Sequence, residues 1–314
     1  MQLSASKLDS PNHSTRDDVP LFLGSQYNSL YINEGYDVYQ FKYDSPIRDS
    51  LIAFFGIKDT VMSSPFSAPY GGFWPSNEPV ESSTYTEMAV ALVNHARKAH
   101  LSRIQITLPP ECYTGANTAT QAAALVGAGF TVEFIDTNHS LRLNDIGFEK
   151  GLHRGARRSL RQATSAGLTF MHAQTDGEQG RAYDVIRKNR QQKGRPLKLS
   201  REGLKKVAKI TNVDYFLVTQ SSVDVAGAIV YKISSSVVQV IYWGNDVSYN
   251  SLNSIHFLAM HLFGFYQENY ALLDIGPSSS LGVIDEGLAK FKESIGCQAT
   301  EKPAFTIDIE SAAS

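Results

Sequence analysis

The sequence is short of the residues that mark metal centres, disulfide frameworks and serine hydrolases. Only two of its 314 residues are cysteine, Cys112 and Cys297, and they lie in different halves with no metal-ligand spacing. The eight histidines are scattered: His256 and His261 are five apart, and no His-x-x-x-His pair occurs. No Gly-x-Ser-x-Gly sequence is present either. We therefore expect reduced thiols, no metal site and no serine nucleophile of that type.

Long apolar runs are also missing. The longest apolar-leaning stretch, residues 255–266, contains two histidines and is too short to cross a bilayer. The first residues are polar and lack the apolar segment of a signal peptide. We expect residues 1–24 to form a disordered tail, and we expect a cytoplasmic protein without a membrane span.

What the chain does have is the composition of a globular protein with a sizeable core. Hydrophobic residues make up 42% and aromatic residues 11% of the chain, and its length favours two domains of ordinary size. Strand-like and helix-like segments alternate in both halves, which predicts an α/β protein with mixed sheets. Predicted strands are 37–43, 51–57, 103–108, 130–135, 168–172, 215–220, 225–233, 237–243 and the segment from 272. Predicted helices begin near 82, 115, 154, 178, 200, 254 and 287.

Charge is spread unevenly although the net charge is only −2. Residues 150–209 hold sixteen of the 29 lysines and arginines and four acidic residues, so this segment carries about +12. Such asymmetry predicts an anionic partner: a phosphorylated substrate, a nucleic acid or an acidic surface.

Four arginines of that segment are spaced for one helical face, namely Arg154, Arg157, Arg158 and Arg161. A solvated surface, a phosphate-binding face and a nucleic-acid-binding face all remain open. The helix has no interleaved aromatic residues, which counts against single-stranded nucleic acid. Arg195, in a basic loop before a capped helix, could hold an anionic group or belong to a plain charged turn.

The last third of the chain contains three phrases in close succession, at 237–246, 272–280 and 287–296. The first is a buried strand ending at a Gly-Asn-Asp turn, and the second is an apolar strand that runs into a serine cluster. The third is an amphipathic helix with Leu288, Phe291 and Ile295 on its inner face. The ends of such neighbouring strands form a ligand crevice in open α/β sheets.

In this order the three phrases resemble the C-terminal half of the Fem-type (FemABX-like) branch of the GNAT acyltransferase superfamily. Residues 64–73 are similar to its Pro-x-x-Pro-Tyr-Gly-Gly turn, and residues 154–167 to its arginine-rich helix. The resemblance covers roughly residues 25–310. The matching positions are Tyr242, Gly244, Asp274, Ser278, Ser279, Gly287, Leu288, Phe291, Lys292 and Gly296.

The resemblance implies two tandem GNAT-like domains, at 25–147 and 148–314, with the active site in the second. It implies an N-acyltransferase in which an amine acceptor attacks an activated acyl carbonyl directly. Asp274 would act as the base, Lys292 would stabilise the oxyanion, and Tyr242 would complete the catalytic set. Expected substrate-binding residues are Tyr70, Gly71, Arg157, Arg161, Arg195, Trp243, Ser278, Ser279 and Phe291.

For most of these residues a purely structural role is an open alternative. Tyr70, Trp243 and Tyr242 could belong to the core, and Asp274 could cap a loop. Lys292 would be a solvated helix lysine without the resemblance, and we expect its stem to leave the helix at an exposed edge. Lys290 lies elsewhere on the same helix and provides an internal control.

The donor class stays open. The chain lacks the Arg/Gln-x-x-Gly-x-Gly/Ala loop that holds the pyrophosphate of CoA in typical GNAT enzymes. It also lacks a long charged heptad insertion, which weakens the case for transfer RNA. We expect no tightly bound cofactor, and a phosphate-bearing acyl thioester (acyl-CoA or acyl-carrier protein) or an aminoacyl-tRNA as co-substrate. Other nucleic acids are not expected as partners of the enzyme. The alternative is a non-catalytic GNAT scaffold that binds an anionic partner through its basic face.

Overall fold

The computed structural model describes residues 2–9, 19–32, 34–45, 49–76, 80–113, 116–143, 147–195 and 197–309. The strands are β1 (Gln2–Lys7), β2 (Asp37–Asp44), β3 (Ser50–Lys58), β4 (Val61–Ser64), β5 (Trp74–Pro75), β6 (Arg103–Thr107), β7 (Thr131–Arg142), β8 (Leu168–Ala173), β9 (Val213–Gln220), β10 (Val223–Lys232), β11 (Val237–Asn245), β12 (Leu272–Pro277), β13 (Ser279–Ser280), β14 (Val283–Ile284) and β15 (Gln298–Asp308). The helices are α1 (Ser25–Ser29), α2 (Ser82–Lys98), α3 (Thr118–Gly127), α4 (Phe148–Gly151), α5 (Arg154–Ser165), α6 (Asp176–Gln192), α7 (Arg201–Val207), α8 (Ser254–Tyr266) and α9 (Glu286–Ser294).

The chain divides into two compact units. The first comprises the described residues of Met1–Thr137, Ser279–Val283 and Thr300–Ser314, and the second those of Asn138–Ser278 and Ile284–Ala299. Strands β7 and β15 each begin in one unit and end in the other.

In the first unit the strands are neighbours in the order β1, β2, β3, β4, β6, β15 and the first half of β7. The β4–β6 pair is parallel, and β15 pairs antiparallel with β6. Helix α2 packs its apolar side on this sheet, because Tyr85, Met88, Leu92 and Val93 are buried at helical spacing. These residues and the inward side chains of β2, β3 and β6 form one core.

In the second unit the order is the second half of β7, then β12, β11, β10, β9 and β8. Along β10, Ala226 and Ala228 face a core that also contains side chains of α5 and α8. Gly227, between them, lies against Ala182 of α6. Because side chains alternate between the two faces of a sheet, α6 covers one face and α8 with α5 the other.

The structure confirms the α/β class and the mixed sheets, and the predicted strands and helices occur where the sequence placed them. Helix α7 begins as predicted, since the hydroxyl of Ser200 accepts a hydrogen bond from the N–H of Gly203 at 3.1 Å. Residue 115, near the predicted start of α3, lies outside the described residues.

The expectation of a disordered tail is wrong for the residues that the structure describes. Gln2–Lys7 forms an edge strand paired antiparallel with β2, and Leu21–Leu23 forms a 3-10 turn with Phe22 and Leu23 buried. Sequence patterns did not predict this strand because its side chains are largely exposed and form no apolar pattern. Its pairing rests on backbone hydrogen bonds. Residues 10–18 lie outside the described residues.

The unit boundary also differs from the expected one. The first segment of the first unit ends at Thr137 rather than at residue 147, and this unit also takes in the described residues 279–283 and 300–309, which the sequence assigned to the second domain. Pairing of Ala304–Asp308 with Arg103–Thr107 is the physical reason. Sequence proximity does not reveal a strand that returns to a distant partner.

Candidate functional site

The central feature of the second unit is a place where two parallel strands part. β11 and β12 are paired at Val237–Leu272, Val238–Leu273 and Gln239–Asp274, and the register among the described residues ends there. Beyond that point β11 stays with β10, and β12 stays with β7. We call the opening between residues 240–245 and residues 275–277 the fork.

Local backbone features produce this divergence. The β10–β11 register shifts between Ile229, opposite Tyr242, and Val230, opposite Val240, so Ile241 is the extra residue of a β-bulge. Bulges bend the strand that carries them and increase its twist. On the other arm, Gly276 has φ +78°, a left-handed conformation that favours glycine.

Asp274 sits where the strands part and is fully buried. Its Oδ1 accepts hydrogen bonds from Asn138 Nδ2 at 2.9 Å and from the N–H of Gly276 at 2.8 Å. Its Oδ2 accepts one from Gln239 Nε2 at 2.7 Å. A carboxylate held in this way links β7, β11 and β12, and it is not exposed to an incoming amine.

Lys292 of α9 lies beneath the β12 arm of the fork and is 2% exposed. Its ammonium donates to the carbonyls of Ile275, Gly276 and Pro277 at 3.1, 2.8 and 3.0 Å. Burial lowers the pKa of Lys292 to about 8, and the neighbouring Cys297, Asp274 and Asp285 oppose the decrease. The expectation of an exposed lysine is therefore wrong, because Ala289 and Lys292 face inward while Leu288 and Phe291 are only half-buried.

A histidine lies beside this lysine. Nδ1 of the fully buried His139 is 3.1 Å from Ser278 Oγ, and its Nε2 is 3.8 Å from Glu293 Oε1. Burial lowers the pKa of His139, and the positive charge of Lys292 lowers it further. The imidazole is thus neutral at pH 7 and adds no second positive charge beneath the fork.

The β11 arm presents aromatic side chains. Tyr242 and Trp243 are half-buried, and the Trp243 ring lies 6.1 Å from that of Phe291. The guanidinium carbon of Arg190, on α6, lies 5.6 Å from the centre of the Tyr242 ring. Trp243 and Phe291 therefore meet on the face covered by α8, whereas Tyr242 points to the opposite face, toward α6, because side chains alternate along a strand.

The expected arginines occupy different places in the second unit. Arg157 is exposed and donates to the carbonyls of Glu149 and Lys150, at the end of α4. Arg161 is exposed on the same helix. Arg195 pairs with Asp285, the N-cap of α9, at 3.3 Å. Arg195 is thus tied to the helix that carries Lys292.

Three expected residues belong to the first unit. Tyr70 is fully buried, with its ring 5.3 Å from those of Phe22 and Tyr113, which is a core environment. Gly71 is held by its N–H to the carbonyl of Thr107 at 2.8 Å. Ser279 donates to Asp136 at 2.7 Å, whereas its neighbour Ser278 belongs to the second unit.

Sequence patterns did not indicate His139, Asn138, Gln239 or Arg190 as neighbours of the fork. None stands in a recognisable pattern, since the first two lie in the middle of a strand and Arg190 is one of many basic residues in its segment. The polar pair Asn138–His139 within an otherwise strand-like run was the only available signal.

The described residues contain no group of three or more His, Cys, Asp or Glu side chains that could hold a metal ion. In the same part of the chain, no helix has the length and apolar character needed to cross a membrane.

Comparison with solved structures shows the fold. No protein-family model matches the sequence, and no curated protein matches it. Three solved structures are similar over nearly their whole length: FemX (14% identity, 93% of this chain and 92% of that chain, TM-score 0.65), a tandem GNAT protein from the clavulanic acid biosynthesis pathway (10%, 99% and 100%, 0.58) and L-PGS from Bacillus licheniformis (11%, 96% and 95%, 0.58). The chain thus has a Fem-like fold with two GNAT-like domains.

Proposed function

We propose that this chain is an N-acyltransferase that moves an acyl group from an activated donor to an amine at the fork. The observation that carries the proposal is the separation of β11 from β12 after the Gln239–Asp274 pair. The similarity to FemX and to a tandem GNAT protein supports a scaffold of this kind.

The fork could bind an acyl donor that has an extended arm. Past Gln239, the edge of β11 that faced β12 offers backbone N–H and C=O groups, while its other edge stays paired with β10. An extended arm that contains amide groups can pair with such an edge as an added strand does. The acyl carbonyl at the end of the arm would then lie between the two strands.

The fork residues fall into two roles in this proposal. Asp274, Lys292 and Ser278 hold the arms in place, since their polar atoms are already bonded within the protein. Lys292 also places a positive charge beneath the reacting carbonyl, where it stabilises a developing oxyanion through its field. Tyr242 is the side chain we place closest to the reaction, with its hydroxyl at the carbonyl or the leaving group.

The reaction is a direct displacement. The nitrogen of a neutral amine attacks the carbonyl carbon, the bond to the leaving sulfur or oxygen breaks, and the amine's proton passes to solvent or to the leaving group. No covalent enzyme intermediate is needed. We propose a phosphate-bearing acyl thioester or an aminoacyl-tRNA as the donor.

The test presents the protein with acetyl-CoA, longer acyl-CoAs, an acyl-carrier-protein thioester and aminoacyl-tRNA, each with a panel of amines. Formation of the amide is followed by mass spectrometry. We expect one donor class to be consumed, and Tyr242→Phe to lower kcat about 10- to 100-fold. Tyr183→Phe removes a hydroxyl that donates to the carbonyl of Leu199, away from the fork, so it should retain wild-type activity.

A binding experiment distinguishes the alternative function. If no donor is bound or consumed, while a nucleic acid or an acidic lipid surface binds tightly, the enzyme proposal fails and a non-catalytic scaffold takes its place. The outward arginines of α5 are the feature that would serve such a scaffold.

A further inference from the structure

Arg190 is a half-buried cation that the proposed mechanism does not use. It is the third-last residue of α6, and it is less exposed than Arg187 one turn earlier. Its Nε is fully enclosed, and no protein atom of the described chain accepts a hydrogen bond from it. Guanidinium groups stay charged at all ordinary pH values, so burial without an acceptor is costly.

The neighbourhood fixes where this guanidinium lies. Asn189, one residue before it, donates to the carbonyl of Asn245 at 2.6 Å and anchors the end of α6 to the end of β11. Close approach is possible because residue 244 is glycine: a Cβ there would lie 2.8 Å from the side chain of Asn189. The position of Arg190 beside β11 is therefore determined by packing.

The same packing sets Arg190 at the mouth of the fork. Its guanidinium lies over the ring of Tyr242, 5.6 Å from the ring centre, and Tyr242 follows the bulge on the part of β11 that has left β12. An aromatic face holds a guanidinium in one plane and leaves its N–H edges directed away from the ring.

The nearby acid does not neutralise Arg190. Asp246, just after β11, bonds Lys188 at 2.6 Å and the N–H of Ser248 at 3.0 Å. The Lys188 ammonium holds the pKa of Asp246 below its usual value. Among the described residues, Arg190 has no salt bridge to a carboxylate.

We infer that Arg190 and Tyr242 form an anion subsite at the fork, which takes a carboxylate or phosphate oxyanion of a small substrate. The two parallel N–H donors on one edge of the planar guanidinium match the two oxygens of such a group. The inference adds a requirement to the proposed function, since one substrate must carry an anionic group close to the reacting carbonyl. It does not depend on acyl transfer, because anion binding can be measured directly.

The experiment titrates the full chain with inorganic pyrophosphate and, in a second arm, with glutarate, by calorimetry at physiological salt. We expect saturable binding in at least one arm, and the preferred arm tells whether phosphate or carboxylate is the natural group. Arg190→Gln should weaken that binding about 10-fold or more, the loss typical of a hydrogen bond to a charged group. Arg190→Lys keeps the positive charge but lacks the planar pair of N–H donors, so it should retain only part of the wild-type affinity.

Arg187→Gln is the matched control, because Arg187 is an exposed arginine of the same helix that pairs with Asp184. It should bind as wild type does. Melting curves of all variants identify any that fail to fold, and Arg190→Lys then carries the comparison. No saturable binding to wild type in either arm, or binding that Arg190→Gln leaves unchanged, would overturn the subsite. If the wild-type chain binds an anion through Arg190 but transfers no acyl group from any donor, only the proposed function is refuted.

Discussion

At the scale of single residues, Lys292 shows how burial changes the role of a lysine side chain. On an isolated amphipathic helix it would be a solvated lysine, whereas here its three donor groups are used by three carbonyls of the β12 arm. Its ammonium therefore has a structural role whether or not its charge also assists a reaction. Activity measurements on this residue need a stability measurement beside them.

We predict that Lys292→Met lowers the free energy of unfolding by about 3 kcal/mol, because buried carbonyls lose their donors. Urea unfolding measures the change. Methionine has a similar length and cannot donate, so the loss reports the hydrogen bonds more than the packing.

Lys290→Met is the matched control on the same helix. Its side chain is 75% exposed and pairs with Glu286, one turn earlier, so the change should stay within about 0.5 kcal/mol. Equal stability of the two variants would show that the Lys292 ammonium does not hold the strand.

At the scale of elements, the approach of α6 to β11 depends on Gly244. We predict that Gly244→Ala lowers the free energy of unfolding by about 1–3 kcal/mol, since the added methyl would collide with the anchored side chain of Asn189. The same change should weaken anion binding at Arg190, because α6 would shift away from β11.

Gly264→Ala tests the specificity of that effect. Gly264 lies in α8, and no atom of the described chain outside its own helix turn comes within 4 Å of where an alanine methyl would lie. Alanine there should be neutral or stabilise the helix by up to about 1 kcal/mol. A loss at Gly264 equal to that at Gly244 would mean that the close approach is not the cause.

The arginines of α5 have two different environments. Arg157 bonds the end of α4, while Arg158 and Arg161 are exposed on a helix without acidic residues. We predict that Arg158→Ala with Arg161→Ala weakens binding of tripolyphosphate several-fold at low salt, with stability unchanged within about 0.5 kcal/mol.

For α5 the control is Arg157→Ala, which should instead reduce stability by about 0.5–1.5 kcal/mol through lost hydrogen bonds. Affinity that neither the double variant nor added salt changes would make the helix face a solvated surface.

At the scale of the whole molecule, burial makes the fold sensitive to acid. It lowers the pKa of His95, His139, His256 and His261. The unfolded chain therefore binds more protons than the folded one as the pH falls below the ordinary histidine value of about 6.5. The stability that these neutral histidines contribute is complete above that pH and is lost progressively below it.

We predict that the free energy of unfolding falls between pH 7.5 and pH 5.5, as measured by urea unfolding across that range. His139→Asn should make the dependence on pH shallower by up to one proton, because one depressed group is removed. A free energy that stays constant over the range would contradict the prediction.

Sequence patterns predicted most of the elements, since apolar periodicity and caps act over a few neighbouring residues. The family resemblance also singled out Lys292, Asp274, Tyr242, Ser278 and Phe291, which lie at the fork or beside it. Sequence patterns could not predict that β15 returns to β6, or that Gln2–Lys7 pairs with β2, because pairing partners far apart in the chain leave no local pattern.

The sequence by itself determined the α/β class, the order of the elements and the basic segment, which all follow from local composition. Only the tertiary structure decided that Lys292 is buried against the β12 arm, that Asp274 is enclosed by donors, and that His139 contacts Ser278 and Arg190 contacts Tyr242. The physical reason is that burial and partner choice depend on packing between distant segments. A lysine or arginine therefore has the same sequence signature in solvent and beneath a strand.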